Sequence, residues 1–522
     1  MQRKTRINTV IFSSALKTPR FFAAAATVGL VFLVHFLTAG CAPPPNVSGP
    51  APRYAGLILR VAAPKDSTLS DILKRHGTYW ERLSGARIER VAPDSACDVI
   101  LFRPWETGRL VSQLAPIDVA ALRSVESYEY SLLLRQQVEH TLDWGGRTYA
   151  LPVVGESLVM IFRSDLLGDP KHSEHLPVRM RARSNRAGRP VGPTTWQELA
   201  AVAEYFAQQS DWGPGNAAAV PRPTLPPLPE DDDELDREFH ALAASFVRPM
   251  TNSERASSLS ERMRTALFFN YQFDADTGEA MIDMPGFVAA LAMMQRLQAL
   301  RGPSTGEKPI EAFRRGQAIF AFATLFEVQS LQAADSPVRG RFGVGRIPGS
   351  EENYDPDSRK LKASPEVDGN TVPYLAHGGW LGGIRHDSDQ SSLALDFLAF
   401  LTSPRVSLEI VAEPRWGAGP TRGSHLDSRS IWHNYDLDPA VTNQLIDSMD
   451  AACRSSALNP VFRLRVKDED RFKRAFCQEL RKVLADRSDA REALKRVRSE
   501  WDQIITDREA FRREYRESLG LK

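Results

Sequence analysis

The residues of this sequence best suited to holding a ligand are one carboxylate and a few aromatics set beside glycine or proline. Glu156 follows Gly155 in the run GGRTYALPVVGESLVMIF at residues 145–162. The second half of that run, 157–162, is almost wholly apolar, and only a strand covered on both faces tolerates that. A carboxylate at the head of such a strand is costly to leave unpaired. Glu156 is therefore read as lying in a cleft, where the chain first crosses between two lobes. Other candidates follow strand-like stretches: Lys65 and Asp66 after Pro64, and Trp105 and Glu106 after Pro104. Thr324 and Glu327 follow AIFAFA at 318–323, Trp380 stands among four glycines in HGGWLGG at 377–383, and Arg415 and Trp416 open RWGAGP. Aromatic faces stack on the apolar side of a sugar ring while carboxylates and amides bind its hydroxyls, so this set suits a neutral, hydroxyl-rich ligand. Trp196 and Trp501 read as core, whereas Trp105, Trp380 and Trp416 belong either to the core or to the cleft wall.

Signatures of bond-making chemistry are missing. GESLV at 155–159 lacks the second glycine of a serine nucleophile elbow. There is no HExxH, no CxxC pair and no P-loop, and Gly343-Val344-Gly345 is followed by Gly349, one residue late for a dinucleotide loop. Asp274 to Gly278 resembles a calcium loop with its glycine misplaced and one acidic ligand short, and reads better as a hairpin turn. No metal or cofactor is expected. A glycosidase carboxylate pair obeys no spacing rule, which keeps a secreted glycan-active enzyme open as an alternative.

The elements that must position these residues alternate. Residues 57–62 (LILRVA), 87–91 and 98–102 (DVILF) read as strands, with a helix between the first two that Ser67 can cap and that buries Leu69, Ile72, Leu73, Trp80 and Leu83. Strand, helix, strand in this rhythm argues for a parallel α/β sheet, whose ligands bind at the carboxyl ends of the strands. Thr195 with Glu198 forms a capping box for a further helix. Ser391 is expected to cap another, which Pro404 stops. From 468 onward the chain is charged amphipathic helix.

At 522 residues the chain is too long for one core, and 42% hydrophobic with 25% charged is a globular balance. The 66 basic residues nearly cancel the 65 acidic ones, so nothing calls for a nucleic-acid partner. A basic start and an apolar stretch at 21–36 fit an export signal. LTAGC at 37–41 resembles a lipoprotein lipobox, which implies cleavage before Cys41 and a lipid on its thiol. The five prolines of 42–52 make a semi-extended tether. Of the three remaining cysteines, Cys453 and Cys477 are the pair to test for a disulfide, with free buried thiols as the alternative. Segments 169–193, basic with Pro and Gly, and 213–233, rich in Pro and acidic residues, read as an exposed insertion and a mobile loop.

Taken in order, five fragments resemble the family 1 extracellular solute-binding proteins, which include the maltose-binding proteins of ABC importers. They are DVILFRPWETGRLVSQLAPID at 98–118, WGGRTYALPVVGESLVMIFRSDLL at 144–167, PTTWQEL at 193–199, EAFRRGQAIFAF at 311–322 and GGWLGGIRHDSDQSSLALDFLAFLTSP at 378–404. The resemblance implies a two-lobed periplasmic-binding-protein-like fold of type II, with hinge crossings. The expected division is a signal peptide at 1–40, the tether at 41–56, the first lobe at 57–155 and 379–455, the second at 156–378, and C-terminal helices at 456–522 mainly on the second. In the maltose-binding member a glutamate of the first crossing strand contacts sugar, and Glu156 falls in its place. The loop carrying Trp105 and Glu106 contributes there too. A sugar-stacking tryptophan of that member is replaced here by Thr324 and Leu325. The implied function is a lipid-anchored, extracytoplasmic, monomeric protein that binds a sugar and delivers it to an ABC permease without catalysis. A ligand-presenting partner of a membrane sensor kinase would use the same lobes.

Overall fold

A computed structural model describes residues 53–213, 221–249, 257–375, 379–454, 459–486 and 489–521. The export signal, Cys41, the tether up to residue 52, segment 214–220, His377 and Gly378 lie outside the described residues.

Two sheets organise the chain. In the larger, the strand Ile58–Ala62 lies between Arg87–Val91 and Val99–Phe102, all parallel. Trp380–Arg385 then pairs antiparallel with Val99–Phe102 on one side and with Ala150–Val154 and Leu114–Ala115 on the other. The smaller sheet centres on Leu158–Arg163, flanked antiparallel by Phe320–Thr324 and Phe342–Gly345. Its central strand is covered on both faces, as its apolar run requires. Met160 and Phe162 enter one core with the helices Trp196–Ala207, Asp232–Val247 and Pro285–Gln298, while Val159 and Ile161 enter another. Only three residues, Gly155 to Ser157, separate Val154 of the large sheet from Leu158 of the small one. Trp196 and Trp501 are fully buried core residues.

Several local expectations need correction. Asp66, not Ser67, caps the first helix, its carboxylate accepting from Leu69 N at 2.9 Å, and Leu83 is 56% exposed. Ser391 is the first helical residue rather than the cap, which is Gln390. Pro404 ends that helix by starting the next, Pro404–Val411, with Ser403 as its cap. Part of the insertion at 169–193 folds into the helix Val178–Ala187. Of the two readings left open for Cys453 and Cys477, the free one holds: they are not bonded to each other, and Cys97 is free as well. Thr195 caps Trp196–Ala207 as its spacing predicts, and Asp274 to Gly278 forms a turn closed by the Phe273 and Ala280 bridge. No group of acidic, His and Cys residues suited to a metal occurs among the described residues.

The loop that returns to the first crossing is fixed by a neutral histidine. Thr421 N donates to His425 Nδ1 at 3.2 Å, so Nε2 carries the proton and faces Ser407 Oγ at 3.1 Å. Burial, helped by Arg422, pushes His425 down to about 3. In the unfolded chain it protonates below about pH 6.5, so its contribution is present above that pH and is lost as pH falls. A His425→Gln variant should therefore lose less stability than wild type between pH 7.5 and 5, by about 2 kcal/mol. Urea unfolding at both pH values measures this, and parallel slopes would contradict it.

Candidate functional site

The chain crosses between the two sheets where two glycines let backbones touch. Gly155 and Gly419 form a β-bridge, and a side chain on Gly419 would strike the backbone of Glu156. Trp380, at the start of the other crossing strand, pairs with Val154. Glu156 is thus held between the returning loop and the second crossing, at the junction of the sheets.

Around Glu156 the structure gathers arginines and tryptophans. Arg103, at the end of Val99–Phe102, lays its guanidinium 3.7 Å over the Trp380 ring and 5.7 Å from Trp105, and donates to Gly379 O at 3.2 Å. Arg463 covers Trp105 at 4.0 Å. Both are cation–π distances, and the partners are largely desolvated, where such contacts are strongest. Arg237, on the helix Asp232–Val247, sits in the field of Glu327, Glu156 and Glu234.

Glu156 is half-buried, and its carboxylate has no hydrogen bond or ion pair among the described residues. Burial raises its pKa against the pull of Arg237 and Arg103. The same is true of Glu234, with Arg237 opposing. Burial lowers Arg237, but Glu327, Glu156 and Glu234 more than offset this, so it is held above its ordinary range. Arg237 likewise has no direct partner among the described residues. Opposite charges that feel one another without touching leave polar groups to be satisfied by something else.

Most of the other expected site residues turn out to have structural work. Asp66 caps a helix, although it too feels Arg103. Glu106 accepts from Arg103 N at 2.8 Å and pairs with Arg109 at 2.5 Å. Thr324 and Glu327 form a capping box, the carboxylate accepting from Thr324 N at 2.7 Å and Oγ1 at 2.8 Å. Lys65 is exposed. Trp380 is 7% exposed with Arg103 on its face, which closes that face to stacking. Trp416 is buried against His76 and Arg75 in the core of the first sheet, and Arg415 is exposed beside Glu413. Trp105 is half-buried at the junction. Arg103, Arg237 and Arg463 were not anticipated. Arg103 adjoins the Pro-Trp pair that drew notice, but nothing in the spacing of the other two marks them.

Two sheet-centred α/β lobes joined by crossing strands are the architecture of hinged binding proteins. The chain belongs to the bacterial extracellular solute-binding proteins, whose family pattern matches residues 75–439. Among solved structures, it is similar to maltose-bound MalE3 of T. maritima, at 17% identity and TM-score 0.57, over 86% of this chain and 99% of that one. It is similar too to a solute-binding protein of Agrobacterium radiobacter K84 in complex with ribitol, at 16% identity and TM-score 0.54, over 86% and 99% of the two chains. MalE of Xanthomonas citri aligns over 87% and 98%, at 15% identity and TM-score 0.57. At these identities the likeness is one of fold.

Proposed function

We propose that this protein captures a sugar or polyol at the junction of its lobes, with Glu156 and Arg237 as the polar contacts, and hands it unchanged to an ABC permease. The observation that carries the reading is that Glu156, at the crossing, and Arg237, in the cavity that Leu158 of the next strand also lines, are both half-buried, mutually unbonded and within each other's field. A hydroxyl-rich guest can donate to the one and accept from the other, and a site built this way rejects analogues that leave either orphaned. Similar solved structures hold maltose, ribitol and D-mannitol, which supports that ligand class. The reading includes export by the N-terminal signal, a lipid on Cys41 as the membrane anchor, a monomer in solution, and lobes divided at 155/156 and 378/379. Among the described residues no helix is long and apolar enough to cross a membrane.

A thermal-shift screen of residues 52–522, a compact unit by itself, against maltose, maltotetraose, ribitol and mannitol tests it. A true ligand raises the melting temperature with the logarithm of its concentration above saturation. Arg237→Ala should weaken binding at least about tenfold, the cost of losing a hydrogen bond to a charged group. A ligand that stabilises the variant as well as wild type would remove Arg237 from the site.

A further inference from the structure

We infer that Arg463 is a positioning residue of this cleft: it clamps Trp105, carried by the large sheet, onto the second lobe and keeps one nitrogen in reserve for an oxygen of the ligand. The ligand half of this inference rests on the reading proposed above; the clamp does not.

Arg463 follows the short strand Val461–Phe462, which pairs with Tyr374–Leu375 just upstream of the second crossing. Its guanidinium is tied along two edges. Nε donates to Glu469 Oε1 at 2.8 Å, and Nη2 donates to Asp233 Oδ1 at 2.6 Å. Lys473 Nζ donates to the same Asp233 oxygen at 2.5 Å, and Asp236 adds to the surrounding negative field. A planar cation tied in this way has little freedom to rotate, and its face lies on Trp105 at 4.0 Å.

The backbone of the same segment presses on the same loop. Gly108, three residues beyond Trp105, has the carbonyl of Arg465 and the backbone of Val466 where a side chain would be. Trp105 is thereby fixed from two sides, by the ring contact and by the chain that follows Arg463. A packed protein does not bury an arginine among two carboxylates and a lysine cheaply. Holding an aromatic of the opposite lobe in register gives the arrangement a use.

The third nitrogen, Nη1, is buried beside the Trp105 ring and has no acceptor among the described residues. A buried donor left open in this way can take an oxygen from outside the chain. Arg463 also lies within the electrostatic reach of Glu156. A ligand oxygen would satisfy Nη1 and complete the guanidinium's set of bonds.

Arg463→Lys separates these roles, because lysine keeps the charge for Asp233 and Glu469 but loses the planar face and Nη1. In the unliganded variant, hydrogen exchange of residues 103–110 should quicken about tenfold while the helix Asp232–Val247 keeps wild-type protection. Unchanged exchange at 103–110, or a uniform rise throughout the chain, would overturn the clamp. Trp105→Leu leaves the ion pairs intact, serves if the lysine variant does not fold, and should quicken the same segment. For whichever of maltotetraose, ribitol and mannitol the wild type binds, affinity should fall about tenfold in Arg463→Lys. The loss should not add to that of Trp105→Leu, since both break one contact. Equal affinity, or additive losses, would overturn the ligand role. If the wild type binds none of these three and no maltose either, the sugar reading fails along with the ligand role, and the exchange measurement still decides the clamp.

Discussion

Glu156→Gln is expected to lower sugar affinity by about 100-fold while raising the stability of the empty protein. The first effect follows from removing a charged acceptor and leaving ligand hydroxyls badly paired, roughly 3 kcal/mol in a half-buried site. The second follows from the environment of the carboxylate. Burial raises its pKa despite Arg237 and Arg103, so the folded protein binds that proton more tightly than the unfolded chain does. Stability is then greater at low pH and falls as pH rises through the folded pKa. Glutamine removes that penalty, so the variant should melt higher at pH 7 and should lack wild type's loss of stability as pH rises from the carboxylate range. Titration calorimetry for binding and melting curves at pH 4 to 7 would show both. A variant that loses affinity only by becoming unstable would return Glu156 to a structural role. Binding sites that trade stability for function show this opposition.

Gly379→Ala is expected to have the largest effect on the fold. Gly379 has φ of +76°, and a Cβ there would land on the carbonyl oxygen of Val154 where the two crossing strands pair. Neither backbone can retreat without breaking a crossing, so a cost of about 4 kcal/mol or more is expected, enough to unfold many domains. Gly306→Ala is the control. Its φ is +72° with nothing within 4 Å, so only the left-handed backbone penalty applies, about 1 kcal/mol. Urea unfolding should separate the two by several kcal/mol. Equal losses would mean that the crossing yields more easily than its geometry implies.

The sequence made the frame of this molecule legible where one physical constraint dominates. The apolar run at 157–162 admits only a strand buried on both faces, and it is the central strand of the small sheet. The glycines around Trp380 announced backbones in close approach, which is what the second crossing is. The site was harder to read, because the residues that bind hydroxyls also cap helices. Asp66, Glu106, Thr324 and Glu327 all follow strands at positions open to a ligand, and all are used to satisfy the first amides of the next helix. Composition cannot separate the two uses, since each asks for a short oxygen acceptor at a strand's end. The tryptophans stayed open between core and cleft wall for a related reason. An aromatic beside glycine is exposed only if nothing else covers it, and Arg103 and the His76 region cover Trp380 and Trp416. No motif in the sequence ties Arg237 or Arg463 to Glu156, and only the fold brings them within its field.

The most direct test is a structure of the protein crystallised with a sugar selected by the thermal screen. One intact ligand is expected at the junction of the two lobes, with an oxygen within hydrogen-bond distance of the Glu156 carboxylate and another within reach of Arg237. A ligand bound elsewhere on either lobe, or a cleaved product in its place, would contradict it.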